Sequence, residues 1–286
     1  MRDLPGPDAE RLAVSVVIPV RNAESFLEKC LDSVARSRPS EVIVVDGCST
    51  DRTVEIARRF DVRVLSDGGA GVAAARMMGV RVAREPLVAL VDSDVVLRDG
   101  ALAALLSEFM SGGFDALQAG LASVSGPGYW GRALAGHHNT GRSRHWFGLA
   151  ATVCKREVLI ECPLDARFAS GEDIDLRWRL SQAGFRIGVS GRTFVTHRFG
   201  DSFEFARDQF RADGAGLARM AVTHRGGPAL FLLPAAATLR GICVTTVRAR
   251  PQFVPYFLAY GAFNYASMIG TMRAIARGRT PRRRSV

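Results

Sequence analysis

An α/β fold, built on a mixed, mostly parallel sheet with helices on both faces, is predicted by two observations. Three short apolar runs, residues 15–20 (SVVIPV), 41–45 (EVIVV) and 87–91 (LVALV), are nearly continuous, as strands buried on both faces are. Segments of helical periodicity lie between them, which implies right-handed crossovers between parallel strands. A third feature adds to this frame: apolar segments near the C-terminus predict further helices.

In chain order, residues 1–13 are polar, contain two prolines and read as a loose leader. The first strand follows. Phe26, Leu27, Cys30, Leu31 and Val34 recur at i, i+3/i+4 and predict a helix. Residues 53–60, 72–83 and 99–111 are helix-compatible. Residues 112–150 are rich in glycine and aromatics and show no clear period. Residues 151–200 return to mixed helix and strand, and 203–224 have helical spacing. The expected division is a main domain over 14–225, with halves at 14–111 and 112–225, followed by apolar, arginine-rich helices and a basic tail over 226–286.

The chain has 286 residues, is 48% hydrophobic and carries a net charge of +10, which excludes disordered and collagen-like classes. The charge is unevenly placed. Residues 214–286 hold eleven arginines and no acid, so the first 213 residues are close to neutral. That argues against a nucleic-acid groove across the main body. Five scattered cysteines with no CxxC pair indicate neither a zinc site nor a disulfide framework. No charged n-region followed by an apolar h-region opens the chain, and a reduced, cytoplasmic setting is expected.

Ligands of open α/β sheets bind beyond the carboxyl ends of the strands. The three strand ends carry Arg21-Asn22, Asp46-Gly47 and Asp92-Ser93-Asp94. Each cluster alone is compatible with an ordinary turn. The set predicts a ligand-binding edge.

The order VSVVIPVRN (14–22), EVIVVDGCSTDRT (41–53), AAARMMGV (73–80), LVALVDSDVVL (87–97) and GEDIDLRWRL (171–180) resembles the inverting family 2 glycosyltransferases, which have the GT-A fold. The resemblance covers residues 14–200 and implies transfer of a sugar from a nucleoside-diphosphate donor with Mg²⁺ or Mn²⁺. Residues 14–111 would form the nucleotide-sugar half and 112–225 the acceptor half. The resemblance makes Asp94 the primary metal ligand, with Asp92 on the metal or the ribose and Ser93 between them. Two carboxylates at i and i+2 suit a hard divalent cation shared with a diphosphate; the alternative is a turn and helix cap. Asp46, with Gly47, corresponds to the residue that contacts the nucleoside, although a helix-start role for this segment is compatible. Pro19, Arg21, Asn22 and Glu24 form the first strand-to-helix turn, which the family uses around the nucleoside. Arg76 matches the family's arginine and would pair with the diphosphate; the alternative is a helix arginine facing solvent. Asp173 matches the general base, and Glu172 would orient the acceptor; the alternative is a pair of acids favoured by a helix dipole. His197 is read either as an additional metal ligand or as a strand-end histidine. His137, His138 and His145 carry no assignment. Trp130, Trp146 and Phe147 are read as acceptor-stacking or core. Residues 205–211 (FARDQFR) lack the Gln-x-x-Arg-Trp pattern of processive synthases, which favours transfer of a single sugar.

Two apolar segments, 229–247 and 252–272, are flanked by arginines. The second approaches the length of a membrane span. A spanning hairpin would place Arg248 and Arg250 on the far side, against the positive-inside preference. Helices lying on the cytoplasmic face of an anionic membrane avoid that conflict, and a lipid-linked acceptor would follow naturally. The alternatives to a transferase are a sugar nucleotidyltransferase, a catalytically silent nucleotide-sugar binder and, on the arginines alone, a nucleic-acid binder.

Overall fold

The computed structural model describes residues 11–140, 147–224 and 228–278. Eight strands form one sheet in the order β3-β2-β1-β4-β7-β6-β8-β5. These are β1 (Leu12–Val20), β2 (Pro39–Asp46), β3 (Arg63–Ser66), β4 (Leu87–Val91), β5 (Val95–Val96), β6 (Ala116–Ser125), β7 (Ala151–Lys155) and β8 (Ile187–Phe199). The β1–β2, β1–β4, β2–β3 and β6–β8 pairs are parallel. The β4–β7, β6–β7 and β5–β8 pairs are antiparallel.

Continuous apolar runs are explained by burial on both faces. In β1, Val14, Val16, Ile18 and Val20 enter one core and Val17 the other; in β4, Ala89 and Val91 are divided from Val88 and Leu90 in the same way. Pro19 pairs with Val45, beyond the last β1 residue paired with β4, where its missing N–H breaks no ladder on that side. The strand starts at Leu12, three residues before the expected Ser15, and takes up the end of the expected leader. The rest of that leader, residues 1–10, lies outside the described residues.

Helices α1 (Leu27–Arg36), α2 (Thr53–Ala57), α3 (Val72–Val82) and α4 (Ala101–Gly112) occupy the expected segments, α2 being shorter than its pattern. Gly79 of α3 lies so close to β1 that a Cβ there would collide with Val17. The unassigned segment 112–150 contains the long strand β6 and helix α5 (Tyr129–Thr140). Next come α6 (Arg156–Glu161), α7 (Glu172–Gln182) and α8 (Phe203–Thr223).

The C-terminal segments form α9 (Pro228–Val247) and α10 (Val254–Ala276), and they differ. Tyr256 and Phe257 of α10 share a core with Phe210 of α8 and Ala133–Ala135 of α5. The second apolar segment is therefore a packed helix, and the expected boundary at 225 does not separate the cores. Among the described residues, only Ala229–Val247 is long and apolar enough to cross a membrane, and only 11% of that window is buried. The tail from 279 and its arginines lie outside the described residues, as does Arg225.

Candidate active site

The carboxyl ends of β1 and β2 are stitched together by the polar residues that follow them. Asn22 takes a left-handed conformation (φ 49°). Its N–H donates to Ser49 Oγ, and its Oδ1 accepts from the Thr50 N–H, both at 2.9 Å. The Glu24 N–H donates to Asp51 Oδ2, and Glu24 accepts from the Arg52 N–H, both at 3.1 Å. Ser49 and Thr50 therefore join two loops and do not cap α2. Asn22 and Glu24, expected at the nucleoside, have their polar groups engaged in this lock. Asp46 is buried and accepts the Ser49 N–H at 3.2 Å; the neighbouring Gly47 N–H donates to the Val20 carbonyl at 2.8 Å. Arg21 stays exposed, with its stem over Gly47.

Asp92, Ser93 and Asp94 make the turn between β4 and β5. The Asp92 N–H donates to the Ala150 carbonyl, and the Arg198 N–H donates to the Asp94 carbonyl, both at 2.9 Å. Antiparallel register sets Val95 opposite His197. This brings His197 Nε2 to 3.4 Å from Asp94 Oδ2. Burial disfavours a charged His197, but the Asp94 and Asp92 carboxylates together outweigh it and the imidazole is held above its ordinary pKa. Asp94 Oδ1 and His197 Nδ1 are buried without hydrogen-bond partners.

Arg76 is buried and does not point to solvent. Its Nη2 donates to Asp92 Oδ1 at 2.6 Å, and its Nη1 donates to Glu172 Oε1. Burial opposes its charge, but Asp92 and Glu172 outweigh that effect and raise its pKa. Both Nη groups of the guanidinium expected at a diphosphate thus donate to carboxylates of this chain, and its Nε is buried without a partner. Glu172, expected to orient an acceptor, is likewise a partner of Arg76.

Asp173 follows Gly171, the left-handed residue (φ 80°) preceding α7, and its Oδ1 accepts the Ile174 N–H at 2.8 Å. Burial, then the Glu172 charge, pushes Asp173 up to about 7. Gly148 lies beside it: a Cβ there would stand 2.9 Å from Asp173 Oδ2. The Gly148 N–H donates to Gln118 Oε1, leaving buried Gln118 Nε2 without a partner. Sequence reasoning missed Gln118 and Gly148, because both lie in the segment that showed no period.

The remaining aromatics belong to packing. Trp130 contacts Tyr129 and Phe203 at 5.1 and 4.7 Å between centroids, and Phe147 is in the core. His137 Nδ1 is 3.1 Å from the Tyr256 hydroxyl, and burial, then Arg240, pushes His137 down to about 4. Burial holds His138 well below its ordinary value. His145 and Trp146 lie outside the described residues.

The site therefore has a carboxylate–imidazole pair with unpartnered atoms and, across an Arg76 bridge, a carboxylate poised to take a proton near neutral pH. The sequence model of glycosyl transferase family 2 matches residues 15–166. This chain belongs to that family. Over 251 residues the chain is 30% identical to the pre-mycofactocin glycosyltransferase of Mycobacterium tuberculosis H37Rv, an alignment covering 81% of this chain and 52% of that protein. It thus spans about half the length of that relative. The mannosyltransferase PcManGT of Pyrobaculum calidifontis, solved with GDP-Man and Mn²⁺, superposes with a TM-score of 0.65 at 17% identity, covering 92% of this chain and 88% of that one. S. aureus TarS 1–349, solved with UDP-GlcNAc, superposes with a TM-score of 0.53 at 17% identity, covering 93% and 92%. The chain has the GT-A fold of these neighbours.

Proposed function

We propose that the transferase moves a single sugar from a nucleoside-diphosphate donor to an acceptor hydroxyl with inversion, assisted by a divalent cation. One observation carries this reading: Arg76 ties Asp92, beside Asp94 and His197, to Glu172, beside Asp173, so both chemistries share one centre.

The unpartnered buried atoms of Asp94 and His197 fit a cation. Carboxylate oxygen and neutral imidazole are both donors that a divalent cation of this kind accepts. Among the described residues, no three His, Cys, Asp or Glu side chains group to hold a metal by themselves. Donor phosphate oxygens and water would complete the shell, as expected for Mg²⁺ or Mn²⁺. When bound, the cation supplies neutralisation of the leaving diphosphate.

Asp173 accepts the proton of the acceptor hydroxyl while the oxygen bonds to the anomeric carbon. The bond from that carbon to the diphosphate oxygen breaks, and its electron pair leaves with the diphosphate. Attack opposite the leaving group inverts the centre. Arg76 holds Asp92 and Glu172 in place. Asp46 and Gly47, with Pro19 and Arg21, line the strand ends assigned to the nucleoside.

The reading also places the enzyme against the cytoplasmic face of an anionic membrane. Leu232, Leu239 and Val247 of α9 are 69%, 64% and 86% exposed, and Arg240, Arg248 and Arg250 accompany them. A lipid-linked acceptor would be presented there. The decisive experiment offers a panel of nucleotide-sugars with Mn²⁺ or Mg²⁺ and a membrane extract, and measures release of nucleoside diphosphate.

A further inference from the structure

Helix α8 carries Asp213-Gly214-Ala215-Gly216. Both glycines mark backbone contact. A Cβ at Gly171 would stand 3.0 Å from Gly216 Cα, and one at Gly216 would stand 3.1 Å from the Ser170 carbonyl. A Cβ at Gly214 would collide with the Asn264 backbone of α10. Asp213 precedes one contact by one residue and the other by three, so helical spacing sets it where α8 meets α10 and the loop carrying Asp173. Tyr256 and Tyr260 of α10 pack edge-on to Phe210, one turn earlier, at 5.2 and 5.4 Å between centroids.

Asp213 is solvent-accessible and makes no hydrogen bond or ion pair among the described residues. Neither Asp213 nor Asp173 has a cationic ion-pair partner among the described residues, since Arg76 is taken by Asp92 and Glu172. A separate feature lies beside Asp173: Gln118, 1% exposed, has an unpartnered Nε2, and a Cβ at Gly148 would meet both Asp173 Oδ2 and Gln118 Oε1, at 2.9 and 3.2 Å. Two carboxylates take hydrogen bonds from hydroxyls, and an amide donor gives one. A phosphate beside the same carboxylates would meet like charge.

We propose that Asp213 completes an acceptor subsite for a neutral, hydroxyl-rich group, a sugar ring or polyol, and disfavours an acceptor that attacks through a phosphate oxygen. The subsite rests on the transferase reading with Asp173 as base. In it Asp213 accepts a hydrogen bond from a second hydroxyl of the acceptor, next to the one that loses its proton to Asp173. It determines acceptor choice, and α10 forms its outer wall.

The test uses the full chain, Mn²⁺ and the nucleotide-sugar panel, with octyl β-glucoside, octyl α-mannoside and citronellyl phosphate as acceptor probes. Nucleoside diphosphate release and the mass of the product are measured. At least one octyl glycoside is expected to accelerate release and gain one sugar, while citronellyl phosphate does neither. Asp213→Asn, which keeps the side-chain shape, should raise the glycoside KM at least tenfold with the donor KM within twofold. Asp213→Glu should recover part of the loss. Transfer to citronellyl phosphate, inert glycosides, or an unchanged glycoside KM in Asp213→Asn overturns the subsite. Absence of diphosphate release from every donor with every probe overturns the transferase reading itself.

Discussion

Arg76 and Glu172 stand 96 residues apart in sequence and share a buried, charge-assisted hydrogen bond. The same guanidinium holds Asp92 at 2.6 Å. It is a strut between the turn after β4 and the start of α7. Arg76→Met would leave two carboxylates facing each other without a cation. Breaking a buried pair in this way costs about 3–5 kcal/mol. A fall of several degrees in Tm is expected by calorimetry, together with a loss of activity greater than tenfold. Arg76→Lys cannot serve two carboxylates through a planar fork, and it should recover part of the stability but little of the activity.

A second expectation concerns pH. Asp173 is pushed up to about 7 by burial and by Glu172. In its proposed role of general base it must be deprotonated, so kcat/KM should rise with pH along an acid limb centred near 7. Stability runs the other way. The folded pKa lies above the unfolded value of 3.8, so the stability that protonated Asp173 contributes is complete below that value and lost as pH rises through 7. Asp173→Asn should therefore melt like the parent near pH 4 and higher than it at pH 8, with EDTA present. It should also lose about 10²–10⁴-fold in transfer rate. Parallel Tm curves across that range would count against the burial of this charge.

Much of the architecture of residues 14–111 was legible in the sequence, because strands buried on both faces leave uninterrupted apolar runs. Arg21-Asn22, Asp46-Gly47 and Asp92-Ser93-Asp94 were legible as strand ends for the same reason. β6 was not. Its Ala, Gly and Ser residues give little contrast between faces, and it is buried by neighbours distant in sequence. The inward turn of Arg76 was also hidden, since its partner Glu172 arrives through tertiary packing. The approach of His197 to Asp94 depends on β5–β8 register, which local pattern does not encode. The difference between α9 and α10 arises likewise: both are apolar, and only packing on α8 separates them.

Membrane docking through α9 gives a third expectation. Leu232 and Leu239 are seven residues apart and lie on the same side of the helix, both more than half exposed. The full chain should sediment with vesicles of phosphatidylglycerol and bind phosphatidylcholine vesicles weakly, since each arginine near an anionic surface adds about 1 kcal/mol. Leu232→Glu combined with Leu239→Glu should move it to the supernatant without lowering Tm. Unchanged sedimentation would remove α9 as the docking surface.

The central claim is that Asp94 and His197 serve a metal-assisted departure of nucleoside diphosphate while Asp173 drives attack by the acceptor. Its most direct test is diphosphate release from the nucleotide-sugar panel with membrane extract, measured with Mn²⁺ and with EDTA, for the parent, Asp94→Ala and Asp173→Asn. The account predicts release from a restricted set of donors, abolished by EDTA and by Asp94→Ala. Asp173→Asn should still bind the donor but lose transfer. Release that persists with EDTA, or full turnover in Asp173→Asn, would contradict it.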